Sequence, residues 1–287
     1  MAEISPLRRR MIEDMKVRNL SPATQQVYIR AAIKLSRHFG RSPDRLSLEE
    51  IRAFQVHLVS TGVSWSLFNQ MVCGLRFFYE VTLDRKGMPQ RIPFAREPRK
   101  LPIVLSVEEV LRFLQAIPNL KSRTALITVY AVGLRVSEVV RLKVRGDIDS
   151  ARMVIRIEQG KGAQDRYVML SPQLLAILRA YYRLARPRHW LFPGQTEERP
   201  MSPTMLQEAC RSARQTAGLS KRVTVHTLRH SFATHLLENG TDLRVIQALL
   251  GHAQLSTTQL YTQVATHLIR KIERPLDRLS LQVPPPA

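Results

Sequence analysis

Four prolines within a short basic segment divide this 287-residue chain into two parts. They stand at positions 89, 93, 98 and 102, and a proline inside a helix removes a backbone donor and clashes with the preceding turn. The same segment, residues 81–102, is rich in basic side chains: Arg85, Lys86, Arg91, Arg96, Arg99 and Lys100. We interpret it as an extended basic linker between two domains, with a surface loop inside one domain as the alternative.

The residues before this linker predict helices alone. Ser21 followed by Pro22 is typical of a helix start, because serine caps the first turn and proline fits the first helical position. Ser47 and Glu50 have the spacing of a capping box. Apolar side chains follow each start at helical spacing: Tyr28, Ala32, Leu35 and Phe39, then Ile51, Phe54 and Leu58. The sequence therefore predicts a small all-helical domain over residues 1–82.

The residues after the linker predict a mixed domain. A second capping box, Ser106 with Glu109, opens it. Residues 152–158 and 166–170 have the composition of two strands, and the glycine-containing turn between them indicates a hairpin. Helices are predicted for most of the rest: 121–142 with an interruption at Gly133, 172–185, 203–217, 226–238 and 242–250. The predicted fold class is therefore mainly α with a small β-sheet, in two domains.

Basic side chains greatly outnumber acidic ones, and this constrains the kind of partner. Lys and Arg total 44 against 23 Asp and Glu, which leaves a formal charge of +21. The excess is spread over both parts of the chain, so a single basic tail does not explain it. Such a charge favours a polyanion, with DNA or RNA as the first choice. Charge alone leaves open a ribosome-associated protein or a merely soluble basic scaffold.

The cysteines and the apolar runs predict a cytoplasmic protein. Cys73 and Cys210 lack Cys-x-x-Cys spacing and indicate ordinary reduced thiols. Residues 1–15 lack the apolar stretch of a signal peptide. No uncharged apolar run approaches the roughly 18 residues of a membrane span, so we expect no membrane partner.

Two basic side chains lie where the backbone favours an anion. Gly133 lets the chain turn just before a helix and leaves Arg135 at the helix start, beside polarised N–H groups. Lys161 lies between two glycines at the tip of the predicted hairpin, which permits close approach to a ligand. Taken alone, each residue is more often a solvated surface side chain.

Histidines cluster in the helix predicted from residue 226. His226 and Arg229 are three residues apart and share a helix face. His230 and His235 are separated by about 140° on an ideal helix, which is unsuited to joint metal ligation. No cysteine or carboxylate completes a ligand set there, so we expect neither a metal nor another cofactor.

Six residues together resemble the catalytic signature of the tyrosine recombinase (phage integrase) family: Arg135, Lys161, His226, Arg229, His252 and Tyr261. The first box is Ala131-Val132-Gly133-Leu134-Arg135-Val136-Ser137-Glu138, and the second runs from His226-Thr227-Leu228-Arg229-His230 through Leu249-Leu250-Gly251-His252 to Tyr261. The order and the spacing are similar to those of the family. Gln164 departs from the pattern, because many members have Lys there in a Gly-Lys-Gly-x-Lys-x-Arg turn.

The resemblance implies a domain organisation for the chain. Residues 1–82 correspond to a helical, SAM-like core-binding domain that binds DNA, and residues 83–102 form the basic linker. Residues 103–275 correspond to the catalytic domain, and residues 276–287 form a C-terminal tail. The short architecture is similar to that of Xer-like and mobile-element recombinases.

The resemblance also implies a site-specific DNA recombinase or integrase that cleaves and rejoins strands through a 3′-phosphotyrosyl intermediate. Tyr261 is expected to attack the phosphate while Arg135 and Arg229 clamp its oxygens. Of the other residues, His226 is expected to accept the tyrosine proton, His252 to hydrogen-bond the phosphate, and Lys161 to protonate the departing 5′ oxygen. Neither a metal nor ATP is expected, because the cations neutralise the phosphate and the phosphotyrosyl bond keeps the energy for religation.

The implied partners are double-stranded DNA and further copies of the chain, in a tetramer on DNA that is cytoplasmic and nucleoid-associated. Type IB topoisomerase-like nicking and resealing is one alternative, and a DNA-binding regulator without chemistry is another. The sequence leaves open the target site and the choice among integration, excision and dimer resolution. It also leaves open whether the apolar stripe in residues 263–282 packs on its own domain or docks into a neighbouring protomer.

Overall fold

The protein is described here by a computed structural model that covers residues 5–96, 101–158, 165–251 and 254–264. Contacts divide the chain into two compact units, Met1–Arg99 and Lys100–Ala287. The described residues are mainly helical with one small sheet, which confirms the predicted fold class. Within these residues, no helix is both long and apolar enough to span a membrane.

Local capping starts two helices of the first unit where the sequence predicts them. The Ser21 hydroxyl accepts a hydrogen bond from the backbone of Thr24, and Ser47 forms the predicted capping box with Glu50. The α-helices in the described part of this unit are α1 (Pro6–Val17), α2 (Pro22–Phe39), α3 (Leu48–Ser60) and α4 (Trp65–Phe77). Helix α4 continues into a π-helical turn, Phe78–Thr82.

Close packing of α2 on α4 forms the centre of the first unit. A Cβ atom added at Gly74 would lie 2.9 Å from both the Ala31 Cβ and the Tyr28 Cα, so only glycine permits this approach. Fully buried side chains such as Met15 and Leu35 fill the core around the contact. The unit therefore has a hydrophobic core of its own.

Part of the segment predicted as linker, 83–102, packs on the first unit. Ile92 is fully buried in its core. The Gln55 side chain donates to the carbonyl of Pro93 at 3.2 Å, and Asn69 exchanges hydrogen bonds of 3.0 and 2.8 Å with the backbone of Ala95. The first unit therefore extends beyond the predicted domain end at residue 82, because apolar burial outweighs the extended character that the prolines suggest.

Helix α6 (Leu120–Val132) lies at the centre of the second unit. It contacts helices on several sides and buries Leu126, Val129 and Val132 completely. The other α-helices in the described part of this unit are α5 (Val107–Gln115), α7 (Val136–Val139), α8 (Pro172–Ala185), α9 (Pro203–Thr216), α10 (Val225–Glu238), α11 (Leu243–Leu250) and α12 (Leu255–Gln259). The predicted capping box at Ser106 opens α5.

An antiparallel three-stranded sheet accompanies these helices. Its strands are β1 (Ile148–Asp149), β2 (Val154–Ile157) and β3 (Arg166–Met169), in that order. The predicted hairpin is confirmed by the pairing of β2 with β3, in which Ile157 lies opposite Arg166. The turn that joins them, which contains Lys161, lies outside the described residues. Cys73 is half-buried and Cys210 is buried, and the structure joins neither in a disulfide among the described residues.

Candidate active site

Arg229 lies beneath the surface at the meeting point of two helix ends. Its side chain projects from α10 and is only 1% exposed. Nη1 donates to the carbonyl oxygen of Gly133 at 2.6 Å, and Nη2 donates to the carbonyl oxygen of Leu250 at 2.6 Å. These carbonyls close the C-terminal ends of α6 and α11, where the helix dipoles favour a positive charge.

Gly133 permits this arrangement because it has no side chain. It caps α6 in the left-handed conformation, with φ of 70°. An added Cβ would lie 2.5 Å from a ring carbon of Phe232 and 2.9 Å from a methyl carbon of Leu250. Glycine therefore allows α6, α10 and α11 to come together around Arg229.

Arg135 stands at the N-cap position of the short helix α7. Its backbone N–H donates to Glu138 Oε2 at 2.8 Å, and Nη1 donates to Glu138 Oε1 at 2.8 Å. Nη2 also donates to the carbonyl of Gly251 at 3.1 Å. The side chain is 19% exposed, so the guanidinium is held in place but reaches the surface.

Glu138 joins three arginines in one cluster. Besides Arg135, it accepts two hydrogen bonds from Arg166, at 2.9 and 2.8 Å, and its Oε2 lies 3.9 Å from Nη1 of Arg229. Burial would raise the pKa of this carboxyl, but the hydrogen bonds and charges of Arg166 and Arg135 bring it down to about 2. Three guanidinium charges against one carboxylate leave the cluster a formal charge of +2.

Arg166 connects the hairpin to this cluster. It is the first residue of β3, and its side chain is 11% exposed. Besides binding Glu138, its Nε donates to the carbonyl of Leu249 at 2.9 Å, near the end of α11. It also packs so closely on Gly251 that a Cβ there would lie 3.0 Å from the Arg166 Cδ. One side chain thus holds α7, β3 and the end of α11 together.

Tyr261 is buried beside the arginine cluster. It lies in a 3-10 turn, Leu260–Gln263, and is 2% exposed. Its ring belongs to an apolar cluster that includes Phe232 and Leu250. Burial raises the pKa of the phenol, while the positive charges of Arg229 and Arg135 act in the opposite direction. The tyrosine therefore stays protonated at neutral pH in this state.

Two histidines of α10 lie next to each other, and one of them contacts Tyr261. Nδ1 of His230 lies 3.2 Å from the phenol oxygen of Tyr261. The His226 ring meets the His230 ring edge-on, with 4.5 Å between centroids. Part of the His226 side chain is exposed, but the neighbouring protein atoms displace water from it, and this desolvation lowers its pKa. The positive charges of Arg229 and Arg135 lower the pKa further. The imidazole of His226 is therefore neutral at pH 7.

Residues 104–267 match the phage integrase family, and residues 7–87 match the N-terminal SAM-like domain of phage integrases. The chain belongs to the phage integrase family. An integrase/recombinase of Sinorhizobium fredii named y4qK is 48% identical over 99% of this chain and 92% of its own length. Tyrosine recombinase XerA of Thermococcus onnurineus is 40% identical over 77% of this chain and 78% of its own length. The integrase-family chain is therefore a tyrosine recombinase, an enzyme of DNA strand transfer.

Solved structures show the same fold. A crystal structure of XerH site-specific recombinase, bound to a palindromic difH substrate after cleavage, covers 90% of this recombinase and 81% of its own chain, with a TM-score of 0.72 and 22% identity. A lambda integrase dimer bound to a core site covers 88% and 95%, with a TM-score of 0.71 and 19% identity. At these identities the similarity establishes the two-domain architecture.

The recombinase brings four of the six predicted site residues into one region of the second unit: Arg135, His226, Arg229 and Tyr261. Lys161 and His252 lie outside the described residues. Arg229 and His226 share a helix face but differ in burial. Arg229 is buried between helix ends, whereas His226 is exposed. Their catalytic roles stay predictions.

Sequence reasoning missed Glu138, Arg166 and His230 as parts of the site. Arg166 is the final arginine of the turn pattern Gly-Lys-Gly-x-Lys-x-Arg, and Glu138 ends the first box, so both had a signal in the sequence. His230 had none beyond its place next to Arg229. Among the described residues, no group of three or more His, Cys, Asp or Glu side chains could hold a metal ion.

Proposed function

We propose that this recombinase cleaves and rejoins DNA at a specific site through a 3′-phosphotyrosyl link to Tyr261, without metal or ATP. The observation that carries the proposal is the cluster of Arg135, Arg166, Arg229 and Glu138, with a formal charge of +2, beside a buried tyrosine. A phosphodiester carries one negative charge, and this charge grows as a fifth oxygen approaches phosphorus. A preorganised positive cluster stabilises that growth.

Each predicted residue has a place in this reaction. Tyr261 forms the new bond to phosphorus, and the bond to the 5′ oxygen breaks. Arg135 and Arg229 neutralise the charge on the non-bridging oxygens. From the sequence, His226 is the candidate acceptor of the tyrosine proton and His252 the candidate hydrogen-bond donor to the phosphate. Lys161 gives a proton to the departing 5′ oxygen. Burial lowers the pKa of Arg229 to about 10, which leaves its guanidinium charged at neutral pH.

We extend the proposal to the partners and the setting. The substrate is double-stranded DNA, which the charge of +21 favours. Strand exchange needs two duplexes and therefore four active sites, so the working form is a tetramer assembled on DNA. Its location is cytoplasmic, at the nucleoid. The solved relatives named above, which are bound to DNA, support the choice of substrate.

A suicide substrate tests the nucleophile. A duplex with a nick just beyond the cleavage point loses its 5′-hydroxyl fragment after attack, so the covalent complex accumulates and can be counted on a denaturing gel. We expect the unmodified protein to trap this substrate in EDTA and Tyr261→Phe to bind it without trapping. Tyr182→Phe, a change at an exposed tyrosine of α8, is the matched control and should trap normally.

The outcome separates the candidate functions. Trapping by Tyr261→Phe would show that another residue is the nucleophile. Absence of trapping by the unmodified protein on its own inverted-repeat site would favour a regulator without chemistry. Trapping without recombinant products from two full sites would favour nicking and resealing of the topoisomerase type.

A further inference from the structure

Among the described residues, His230 places a ring nitrogen at hydrogen-bond distance from Tyr261, the predicted nucleophile. We propose that His230 is a catalytic residue that accepts the proton of Tyr261, the role that sequence reasoning gives to His226. The inference rests on the proposed function and adds the identity of the base. It starts from the 3.2 Å separation between Nδ1 of His230 and the phenol oxygen, since a general base must lie within hydrogen-bond reach of the proton it removes.

The scaffold fixes His230 relative to the phosphate site. His230 directly follows Arg229, whose guanidinium is anchored to the ends of α6 and α11. Tyr261 packs in the apolar cluster that includes Phe232 and Leu250. His230 and Tyr261 therefore lie together beside the positive charge of Arg229, and such proximity favours proton transfer.

The protonation state of His230 sets the direction of the hydrogen bond. Burial lowers its pKa to about 4, and the neighbouring His226 and Arg229 contribute further. The imidazole is therefore neutral at pH 7, and Tyr261 remains protonated because its pKa is raised. With its hydrogen on Nε2, His230 accepts the phenol hydrogen at Nδ1. The hydroxyl hydrogen then points to the helix and leaves an oxygen lone pair for phosphorus.

Two protons move in the cleavage step, and each has a donor and an acceptor. As the bond from the Tyr261 oxygen to phosphorus forms, its proton passes to Nδ1 of His230, and the 5′ oxygen leaves with a proton from Lys161. Religation reverses both transfers, since the 5′ hydroxyl attacks phosphorus and His230 returns its proton to the tyrosine. A bound phosphate offsets the positive charge of Arg229 and His226, and this raises the pKa of His230 when the base is needed.

His226 has a different position. It stands one helical turn earlier, at the exposed rim, and meets the edge of the His230 ring. That position suits a hydrogen bond to a phosphate oxygen arriving from solvent. In this proposal His230 accepts the tyrosine proton and His226 donates a hydrogen bond to the phosphate, whereas the sequence assigned proton acceptance to His226.

Substitution and chemical rescue test the assignment. His230→Asn places an amide near the position of Nδ1, so it keeps a hydrogen-bond acceptor but cannot take a proton. His230→Ala leaves a space that imidazole added to the buffer can enter. We expect both to slow trapping of the nicked substrate roughly 100-fold or more, with half-site binding and thermal unfolding close to normal. Imidazole should restore His230→Ala in proportion to its free-base concentration.

His226→Ala, measured in parallel, is the matched comparison. We expect it to slow trapping without rescue by imidazole as a base. Near-normal trapping by His230→Asn would overturn the proposal, because a hydrogen bond alone would then suffice. Rescue of His226→Ala but not of His230→Ala would move the base to His226. In each case trapping by the unmodified protein keeps the proposed function intact, and only its absence would count against that function.

Discussion

One carboxylate organises the positive charge of the candidate active site. Glu138 is buried and accepts hydrogen bonds from Arg135 and Arg166 on both of its oxygens. Without it, the positive charges of Arg135 and Arg166 would lose the carboxylate that compensates them. The geometry of the proposed phosphate site therefore depends on a residue that need not touch the phosphate.

We predict that Glu138→Gln destabilises the second unit by about 3–5 kcal/mol at pH 7, because removal of one partner leaves buried charges uncompensated. The folded pKa of about 2 lies below the unfolded value near 4.5. The stabilisation by the carboxylate is therefore fully present above about pH 4.5 and is lost as the pH falls through about 2. The stability difference between the two proteins should shrink by roughly 2–3 kcal/mol between pH 6 and pH 2.5.

Urea unfolding followed by the fluorescence of Trp190 measures this difference. Trp65, in the first unit, is replaced by Phe in both proteins so that the signal reports on the second unit. A stability difference that does not change with pH would contradict the assigned role of Glu138.

At the scale of elements, the site is a junction of helix ends. The C-terminal carbonyls of α6 and α11 bind Arg229, while α7 begins with Arg135. Helix C-termini carry partial negative charge, which stabilises a buried cation that would otherwise be costly. Strand β3 adds Arg166 to the same junction. Small displacements of any of these elements should therefore change the reactive geometry.

Gly133→Ala should test the junction directly. The alanine must adopt a left-handed conformation, which costs about 1–2 kcal/mol, and its Cβ must displace Phe232 and Leu250. The displacement should add roughly 1–3 kcal/mol. We expect a loss of stability in urea and a loss of trapping larger than the loss of DNA binding.

Gly218→Ala is the matched control for this prediction. Gly218 also has a left-handed φ, of 62°, but nothing lies within 4 Å of an added Cβ. Gly218→Ala should therefore lose only the stability that the left-handed conformation costs, without displacing a neighbouring side chain. Equal effects of the two substitutions on trapping would mean that the close approach of α6, α10 and α11 does not matter for catalysis.

The whole molecule is a strongly basic protein of two units, and this property governs DNA binding. The charge of +21 is not confined to the active site. Contacts with DNA phosphates release counterions, so binding weakens as salt rises. If both units bind one duplex and neutralise about 8 phosphates, the slope of log K against log salt should be near −7.

Fluorescence anisotropy of a labelled half-site, measured with Tyr261→Phe across a salt series, gives this slope without interference from cleavage. The isolated first unit, residues 1–99, has its own core and provides the comparison. It should give a clearly shallower slope than the full chain. A slope near −2 for the full chain would contradict binding by both units.

The sequence by itself determined the features that depend on local contacts. The starts of α3 and α5 follow from Ser47 and Ser106, because a capping box joins residues only three positions apart. The hairpin follows from two short apolar runs around a glycine turn. The two-residue strand β1 escaped prediction because so short a segment shows no alternation. The order of the motif residues was sufficient to indicate the family.

Tertiary structure alone decided which side chains meet. Arg229 binds the carbonyl of a residue 96 positions away, and Glu138 binds an arginine 28 positions away. Helix periodicity places His226 on the face of Arg229, but packing of α10 against the turn that carries Tyr261 brings His230 to the phenol. Local pattern fixes which residues share a face of one helix. Which face meets a distant segment depends on how the whole core packs, because only close-packed contacts between remote parts of the chain select one arrangement.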